Sequence, residues 1–340
     1  MKTFMLKFHR SARFGELGLG EESVSPILHS DTLFNAICNA WVALFGVDEL
    51  ESLLGDFKSG DPPFLISSAF PYTCVNSRCF LFLPFPQPFL KRKLEPLQWK
   101  KLKKIKFIEF DILKDRKIKW TNFVDESVFT IKDGFLIRKE HEEELKGSLP
   151  IFRSERTIRN RLDRVTKASM LFYLMETFFK ENSGLYFLFN DLKGYFDKVY
   201  AVMKFLGDEG IGADRSQGKG AFSLNINETS LPSLSDANAF VTLSLYFPLK
   251  EELEEYFRGE KILSYSLVER GGFVYSPFSK KAVRKQPKRL FTEGSVFPLL
   301  GKEIYGKMVE VRKKDEVVPH DVFLYGYAFP FKLKVESETP

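Results

Sequence analysis

The chain of 340 residues contains few cysteines, and this shortage excludes two kinds of scaffold. The three cysteines are an odd set in which only Cys74 and Cys79 lie close together, while Cys38 stands apart. They cannot provide a disulfide framework or the four thiolates of a cysteine-only zinc site. We therefore expect reduced thiols, either buried in the core or lying on the surface.

A long apolar run and a signal peptide are also absent. No run approaches the roughly 18 residues of a membrane span. The first residues, MKTFMLKFHRSARF, lack the uninterrupted apolar stretch of a secretory signal. We therefore expect a cytoplasmic protein that does not bind a membrane. Disorder is excluded as well, because 36 Phe and 12 Tyr can bury far more apolar surface than a disordered chain carries.

Motifs for catalysis and metal binding are missing. The chain has four histidines, and only His9, after the first predicted strand, and His29, before the first predicted helix, lie where a ribonuclease would place a general base. The sequence does not show that either meets a second catalytic group such as Tyr72. Because no HExxH or paired-carboxylate motif occurs, we expect no catalytic residues, no metal and no cofactor.

Positive charge, in contrast, is concentrated in three short stretches. The net charge is only +6, yet residues 91–106 carry +7, 153–167 carry +4 and 280–289 carry +6, which leaves −11 for the rest. Such local concentration favours a surface that binds a polyanion. The lysine-rich stretch 91–106 is also compatible with a solvated loop. The arginine-rich stretch 153–167 suits bidentate phosphate contacts and base stacking better.

The order of predicted elements in the first two thirds of the chain indicates an α+β fold. These elements are a strand at 3–8, a helix from Leu33 that Ser30 or Asp31 caps and Gly46 ends, a hairpin of 169–179 with 185–190, a helix at 191–206 and a strand from Phe222. This β-α-β-β-α-β order predicts a ferredoxin-like (RRM-like) domain at 1–229. A large insertion, at about 47–150, interrupts it.

A second ferredoxin-like domain is predicted at 238–340, after a linker in the stretch SLPSLSDAN. Its elements are a strand from Phe240, an acidic helix at Pro248–Arg258 and strands around 262–275, 308–312 and 322–335.

The glycine-rich loop 210–220, GIGADRSQGKG, is the most specific motif. It is neither a P-loop nor a dinucleotide-binding fingerprint, because five residues separate its second and third glycines and it connects a helix to a strand. Its glycines allow backbone N–H groups to approach a ligand, while Arg215 and Lys219 supply charge. The alternative interpretation is a long turn that needs positive φ.

The other two arginine-bearing segments permit more than one interpretation. As a hairpin strand, residues 153–165 place Arg159 and Arg161 on one face, with Asp163 available to pair with an arginine. As a helix, they would align residues 153, 156, 160 and 164. The stretch 280–289 has aromatic neighbours, which suits single-stranded RNA, although core packing explains them equally well: Phe273, Tyr275, Phe278 and Phe291.

Four motifs together resemble a known family. From Ile211 to Ala221 the glycine loop fits the signature of the RAMP superfamily of CRISPR RNA-binding proteins: hydrophobic residue, Gly, five residues, Gly, any residue, Gly, hydrophobic residue. With HSDTLFNAI at 29–37, RNRLDRVTKAS at 159–169 and HDVFLYGYAFPF at 320–331, the chain resembles the fourth subunit of type III-A Csm effector complexes. The insertion carries no matching motif.

The resemblance implies two ferredoxin-like domains, no nuclease activity and binding of the 5′ handle of CRISPR RNA. It also implies contacts with a large polymerase-type subunit and with a repeated backbone subunit. The residues expected to bind handle phosphates are Gly212, Arg215, Ser216, Gly218, Lys219 and Gly220. A thumb-like arm that kinks the guide would consist of Arg156, Arg159, Arg161 and Arg164.

Further candidates complete the expected site. His29, Ser30 and Asp31 would lie beside the glycine loop and shape its pocket, and Lys288 and Arg289 would add RNA contacts from the third basic stretch. Two alternatives stay open. One is a RAMP-type, metal-independent endoribonuclease that processes repeat RNA with His29 or His9 as base, and the other is a scaffold that binds only proteins.

Overall fold

The computed structural model describes residues 1–15, 24–87, 95–114, 117–118, 120–229, 234–258, 263–279, 281 and 283–335. Parts of two predicted basic stretches lie outside the described residues, namely Lys91, Arg92, Lys93 and Lys280, as do residues 230–233 of the predicted linker. Among the helices described, none has the length and apolar character needed to cross a membrane.

The described residues form helices and many short strands. The α-helices are α1 Ser30–Phe45, α2 Val47–Ser59, α3 Pro96–Leu102, α4 Phe110–Leu113, α5 Phe196–Glu209 and α6 Lys250–Tyr256, with 3-10 turns at Trp120–Val124, Lys139–His141 and Arg215–Gln217. The strands are β1 Lys2–Phe8, β2 Phe14–Gly15, β3 Val24–Ser25, β4 Phe64–Ile66, β5 Phe70–Val75, β6 Arg78–Pro84, β7 Phe107–Glu109, β8 Lys117–Ile118, β9 Phe129–Lys132, β10 Phe135–Arg138, β11 Phe152–Leu162, β12 Ser169–Phe179, β13 Ser183–Asp191, β14 Phe222–Glu228, β15 Ala239–Thr242, β16 Leu267–Arg270, β17 Lys288–Phe291, β18 Val296–Pro298, β19 Val309–Arg312, β20 Val322–Leu324 and β21 Pro330–Val335.

The first part of the chain is built on an antiparallel sheet with the central order β14-β1-β13-β5. Along the chain the elements of this sheet and its helices follow the order β1-α1-β5-β13-α5-β14, a β-α-β-β-α-β order in which β5 replaces the predicted strand at 169–179. Helix α1 forms because Leu33, Ile37 and Trp41 recur at helical spacing, and all three are fully buried. In the sheet, the Phe4 ring stacks on Phe187 with centroids 4.8 Å apart.

The insertion continues this sheet instead of forming a separate body. Beyond β5 the order runs β6-β7-β10-β9. Since β4 and β5 both pair with β13, they belong to the central sheet, although they fall within the range of the predicted insertion.

The predicted hairpin between 169–179 and 185–190 is wrong. Strand β12 pairs with β11 along all 11 residues, and β13 pairs with β1 and β5. Both edges of β13 are therefore occupied within the buried sheet, which leaves no edge for β12. The strand interpretation of the arginine-rich segment is thereby confirmed. We call β11 and β12 the arginine hairpin.

The expectation of three reduced thiols is wrong for Cys74 and Cys79, which form a disulfide. They lie directly opposite each other on β5 and β6. The connecting turn, Asn76-Ser77, has positive φ at both residues, as a tight two-residue hairpin requires, and this brings the thiols together. Cys38 is free, and burial raises the pKa of its thiol.

The C-terminal part is built on a second sheet, in the order β18-β15-β21-β8. Helix α6 lies within the predicted acidic helix, and strands lie near 267–270, 309–312 and 322–335 as expected. Strand β8 comes from the insertion and pairs in parallel with β21, so the two parts share this sheet. Among the described residues of this part, α6 is the one α-helix, so a second ferredoxin-like unit stays a prediction.

Candidate nucleic-acid interface

An open groove of about 610 Å³ lies between three elements of the first domain. The arginine hairpin, the residues that follow β1 and the glycine loop each contribute a wall. The lining residues are His9, Arg10, Ser11, Thr157, Arg159, Glu176, Phe178, Gln217 and Lys219. Because three of these carry positive charge, the groove is the natural place to look for a bound polyanion.

The register of the arginine hairpin determines which arginines face the groove. Residues directly opposite each other share a face, and Arg159 and Arg161 lie on the same face as Thr157 and Phe178, which line the groove. Arg156 lies on the other face, where its guanidinium stacks on Tyr173 at 4.6 Å from the ring centroid.

The turn of the hairpin carries Arg164, which is exposed. Asp163 does not pair with an arginine in the way the sequence suggested. Its carboxylate accepts backbone N–H bonds from Val165 at 2.9 Å and Thr166 at 2.7 Å. These bonds lower the pKa of Asp163 and fix the turn that presents Arg164.

Glu176 holds the three walls of the groove together. This carboxylate is only 3% exposed and accepts hydrogen bonds from Ser11 Oγ at 2.6 Å, from Arg159 Nη2 at 3.2 Å and from Lys219 Nζ. Burial alone would raise the pKa of Glu176, but the bonds from Lys219, Ser11 and Arg159 outweigh it and lower that pKa. Sequence reasoning missed Glu176, because it lies in an apolar run.

Lys219 is buried beside two carboxylates, whereas the sequence predicted that it would bind handle phosphates. It is 5% exposed, and besides Glu176 its ammonium lies 3.6 Å from Asp214. A direct contact with phosphate would require it to leave two carboxylates. Its ammonium therefore fixes the glycine loop to the hairpin. Arg159 also contacts Glu176, but a third of its side chain remains exposed toward the groove.

The glycines of the loop are needed where the backbone crosses itself. A Cβ on Gly220 would lie 2.0 Å from the Ile211 carbonyl oxygen, and one on Gly212 would lie 2.5 Å from the Arg13 carbonyl oxygen. Both residues have positive φ, 71° and 103°. The interpretation of the loop as a turn that needs positive φ is thus correct at these positions.

Several backbone N–H groups of the loop are already bonded within the chain. Ile211 donates to the Gly220 carbonyl at 3.0 Å, Gly220 to the Ser11 carbonyl at 3.0 Å and Ala213 to the Arg13 carbonyl at 2.9 Å. The expected open cradle of N–H groups is wrong for these three amides. The exposed part of the loop is instead its tip, residues 216–218, and Arg215 next to the tip is half-buried.

The segment His29-Ser30-Asp31 does not form part of the groove. His29 Nδ1 lies 2.8 Å from Glu293 Oε1, and Asp31 Oδ2 accepts from Arg270 Nε at 2.9 Å. Burial raises the pKa of Asp31, yet Arg270 outweighs it and lowers that pKa. Burial likewise raises the pKa of Glu293, but His29 outweighs it, so the pKa of Glu293 is also lowered.

Ser30 completes this contact with the C-terminal domain. Its hydroxyl accepts the N–H of Leu245 at 3.0 Å. The N-cap residue of helix α1 is His29, whose own side chain makes no capping hydrogen bond. The predicted N-cap at Ser30 or Asp31 is therefore wrong, because His29 is the N-cap residue, although Asp31 Oδ1 accepts the Thr32 N–H in the first turn at 2.7 Å. The pocket-shaping role of the three residues stays a prediction. The side chains are used to join α1 to the C-terminal domain.

The segment that precedes the third basic stretch contacts the glycine loop. Arg215 of the loop stacks on Tyr275, with 4.6 Å from its guanidinium carbon to the ring centroid. Lys288 and Arg289 lie on β17, the first half-buried and the second exposed. Core packing explains Phe291, which is buried in the aromatic core of this domain, but the other three aromatics of the stretch are exposed.

Two cations beside the groove were not among the predicted site residues. Arg10 is exposed and lines the groove, and its guanidinium lies 3.7 Å from the position of a Cβ on Gly218. Arg13 Nη1 lies 3.7 Å from Asp214 Oδ2. The pattern that could have found them is the short basic run HRSAR, which directly follows β1. In the described part of the chain, no group of three potential metal ligands is present.

Comparisons with known proteins match both parts of the chain. Residues 17–223 match the RAMP superfamily, and residues 235–333 match the CRISPR Csm4 C-terminal domain. The "CRISPR system Cms protein Csm4" of Thermococcus onnurineus is 30% identical over 321 residues, which cover 91% of this chain and 92% of that protein. A protein of the same description from Methanocaldococcus jannaschii is 28% identical over 335 residues, with coverage of 85% and 82%.

Two solved structures have a similar fold. The match in the crystal structure of a Csm3-Csm4 subcomplex of the type III-A CRISPR-Cas interference complex has a TM-score of 0.61 at 21% identity, covering 95% of this chain and 99% of that chain. A match in the Csm1-Csm4 cassette with cA4 has a TM-score of 0.55 at 22% identity, covering 99% and 100%.

Proposed function

This chain belongs to the Csm4 family of the RAMP superfamily, in the type III-A CRISPR effector complex, and we propose that it binds the 5′ handle of the CRISPR RNA. The observation that carries the proposal is the groove around Glu176. There the buried carboxylate holds Lys219 and Arg159 in place while Arg10, Arg161 and the loop tip remain available to phosphates. Single-stranded RNA fits such a groove, because its backbone follows a track of cations.

The proposed assembly follows the relatives. Similar folds occur in a Csm3-Csm4 subcomplex and in Csm1-Csm4 cassettes. We propose that this chain likewise links a large polymerase-type subunit to the backbone subunits, with two ferredoxin-like domains as its framework. With CRISPR RNA as its proposed ligand, we also propose a cytoplasmic location.

We also propose that the subunit is not catalytic. His29, one of the two histidines considered as a general base, is 12% exposed and occupied by Glu293 at the contact with the C-terminal domain. His9 does line the groove, where its Nε2 lies 3.1 Å from Ser223 Oγ. That position is the specific observation that favours the alternative, a metal-independent endoribonuclease acting on repeat RNA.

The first test is to purify the tagged chain from its native cells and to sequence the RNA that accompanies it. We expect short RNAs that share one repeat-derived 5′ end. RNAs without a common 5′ end, or no RNA at all, would contradict handle binding and favour a scaffold.

A second test separates binding from cleavage. Labelled repeat RNA is incubated with the purified chain in EDTA, next to the His9→Ala variant. We expect intact RNA in both reactions. Cleavage by the wild type that His9→Ala abolishes would establish the endoribonuclease instead.

A further inference from the structure

An exposed aromatic cluster on the C-terminal domain is not explained by the groove. Phe273 is 44% exposed, Tyr275 68% and Phe278 47%. Aromatic side chains of this size normally bury most of their surface, and a contiguous exposed patch is typical of a binding site. The cluster belongs to the segment that precedes the third basic stretch.

The backbone of this segment presents two of the rings side by side. Phe273 pairs with Arg284 in a β-bridge, and the Val274 N–H donates to the Val283 carbonyl at 2.8 Å. Val274 is buried in the core, so the alternation of an extended chain directs Phe273 and Tyr275 to the opposite face. Two residues of extended chain separate the rings by about 7 Å along the strand.

A turn fixes the third ring of the cluster. Ser276 Oγ lies 2.7 Å from His320 Nε2, and the same hydroxyl accepts the N–H of Phe278 at 3.2 Å. The Phe278 ring packs edge-on against the His320 ring, with centroids 6.4 Å apart. His320, the first residue of the HDVF motif, thus acts as a positioning residue for this turn.

Positive charge lies directly against the rings. The Arg284 guanidinium carbon is 5.5 Å from the Phe273 centroid, and that of Arg215 is 4.6 Å from the Tyr275 centroid. No acidic residue occurs between positions 271 and 289. Aromatic rings and guanidinium planes are the surfaces on which unpaired bases stack, while the cations neutralise the phosphates between them.

We propose that Phe273, Tyr275 and Phe278 form a platform on which bases of single-stranded RNA stack. The proposal rests on handle binding by the groove, because Arg215 of the glycine loop stacks on Tyr275 of the platform. Nucleotides that leave the loop tip reach Tyr275 first and Phe273 next. Since every base has an aromatic face, the platform tolerates different sequences.

The test measures RNA binding by the full-length chain with fluorescence anisotropy at several salt concentrations. The probes are a labelled RNA with the repeat-derived 5′ sequence and an oligouridine of equal length. The variants are Tyr275→Ala and Phe273→Ala, with Tyr275→Phe to retain the ring. Phe257→Ala is the matched control, since Phe257 is 57% exposed and lies at the end of α6.

We expect each alanine variant on the platform to weaken binding of the handle RNA about tenfold or more, as loss of one base stack does. Because no charge is removed, the slope of log K against log salt stays as in the wild type. Tyr275→Phe and Phe257→Ala retain wild-type affinity. A photo-crosslink from 4-thiouridine in the probe to Phe273 or Tyr275 gives a direct readout.

Different failures are distinguishable. If the wild type binds handle RNA with a clear salt dependence and the two alanine variants bind equally well, the platform is overturned while handle binding stands. If the wild type does not bind the handle RNA, both handle binding and the platform are overturned. Normal RNA binding with lost co-purification of the large subunit would identify a protein-docking surface and overturn the platform as well.

Discussion

Two buried carboxylate clusters differ in what surrounds them. Glu176 in the groove holds Lys219 and Arg159, and the exposed part of Arg159 still faces solvent. At the domain contact, Asp31 and Arg270 are both almost completely buried, with 4% and 6% of their side chains exposed. The first cluster holds together the walls of an open groove, the ligand surface that we propose, and the second joins parts of the chain. A sequence motif therefore marks a residue that the fold needs, which is often not the residue that touches the ligand.

The largest expected effect follows from breaking the domain contact. Asp31→Ala leaves the Arg270 guanidinium buried without its carboxylate partner, which typically costs about 3–5 kcal/mol. Urea or thermal unfolding of the full chain measures the loss. The double variant Asp31→Ala/Arg270→Met removes both charges and is expected to recover part of the stability. Unfolding of Asp31→Ala at the wild-type midpoint would show that this cluster does not join the domains.

The Glu176→Gln variant probes the groove cluster with a nearly isosteric change. It leaves Lys219 facing a neutral amide, and we expect a stability loss of about 1–3 kcal/mol, as for a buried group that loses its charged partner. The substitution also removes one negative charge from the groove, so the RNA affinity at low salt is expected to rise. A fall in stability without a change in RNA affinity would separate this cluster from the ligand surface.

Acid should weaken both clusters in the same direction. The pKa values of Asp31, Glu176 and Glu293 are lowered in the folded chain, so their stabilisation is complete above the usual carboxyl pKa values of 3.8 and 4.5. It is lost as the pH falls through the lowered values. Thermal unfolding at pH 7, 5, 4 and 3 measures this, and Glu176→Gln is expected to show a shallower decline. Stability that rises below pH 4 would contradict the assignment.

The smallest effect on stability is expected for an exposed arginine of the hairpin. Arg161→Ala is expected to change the free energy of unfolding by less than about 0.5 kcal/mol. It should weaken binding of single-stranded RNA and reduce the salt slope by about 0.7, the value for one phosphate contact. Arg258→Ala is the matched control, since this exposed arginine pairs with Glu255 at the end of α6. Equal slopes for the two variants would remove Arg161 from the interface.

The correctly predicted elements are those whose buried positions recur at a period that their own sequence shows. Helix α1 follows from Leu33, Ile37 and Trp41, and the strand nature of β1 and β14 follows from their alternation. The pairing of β12 was predicted wrongly, because the sequence does not show that β1 and β5 fill both edges of β13.

The site was harder to predict, because its partners are distant along the chain. Asp31 meets Arg270 across 239 positions, and Lys219 meets Glu176 across 43. A lysine in a glycine loop therefore looks like a phosphate ligand until its burial is known. Arg159 and Arg161 were easier, since a spacing of two on a strand already places them on one face.

The parallel pairing of β8 with β21 has a consequence for synthesis. Residues 117–118 leave the ribosome about 210 residues before the strand that pairs with them. At translation rates of about 5–20 residues per second, β21 is synthesised on the order of 10–40 s after β8. During that time β8 has no β21 to pair with, so this contact between the insertion and the C-terminal part forms only after the last strand is made.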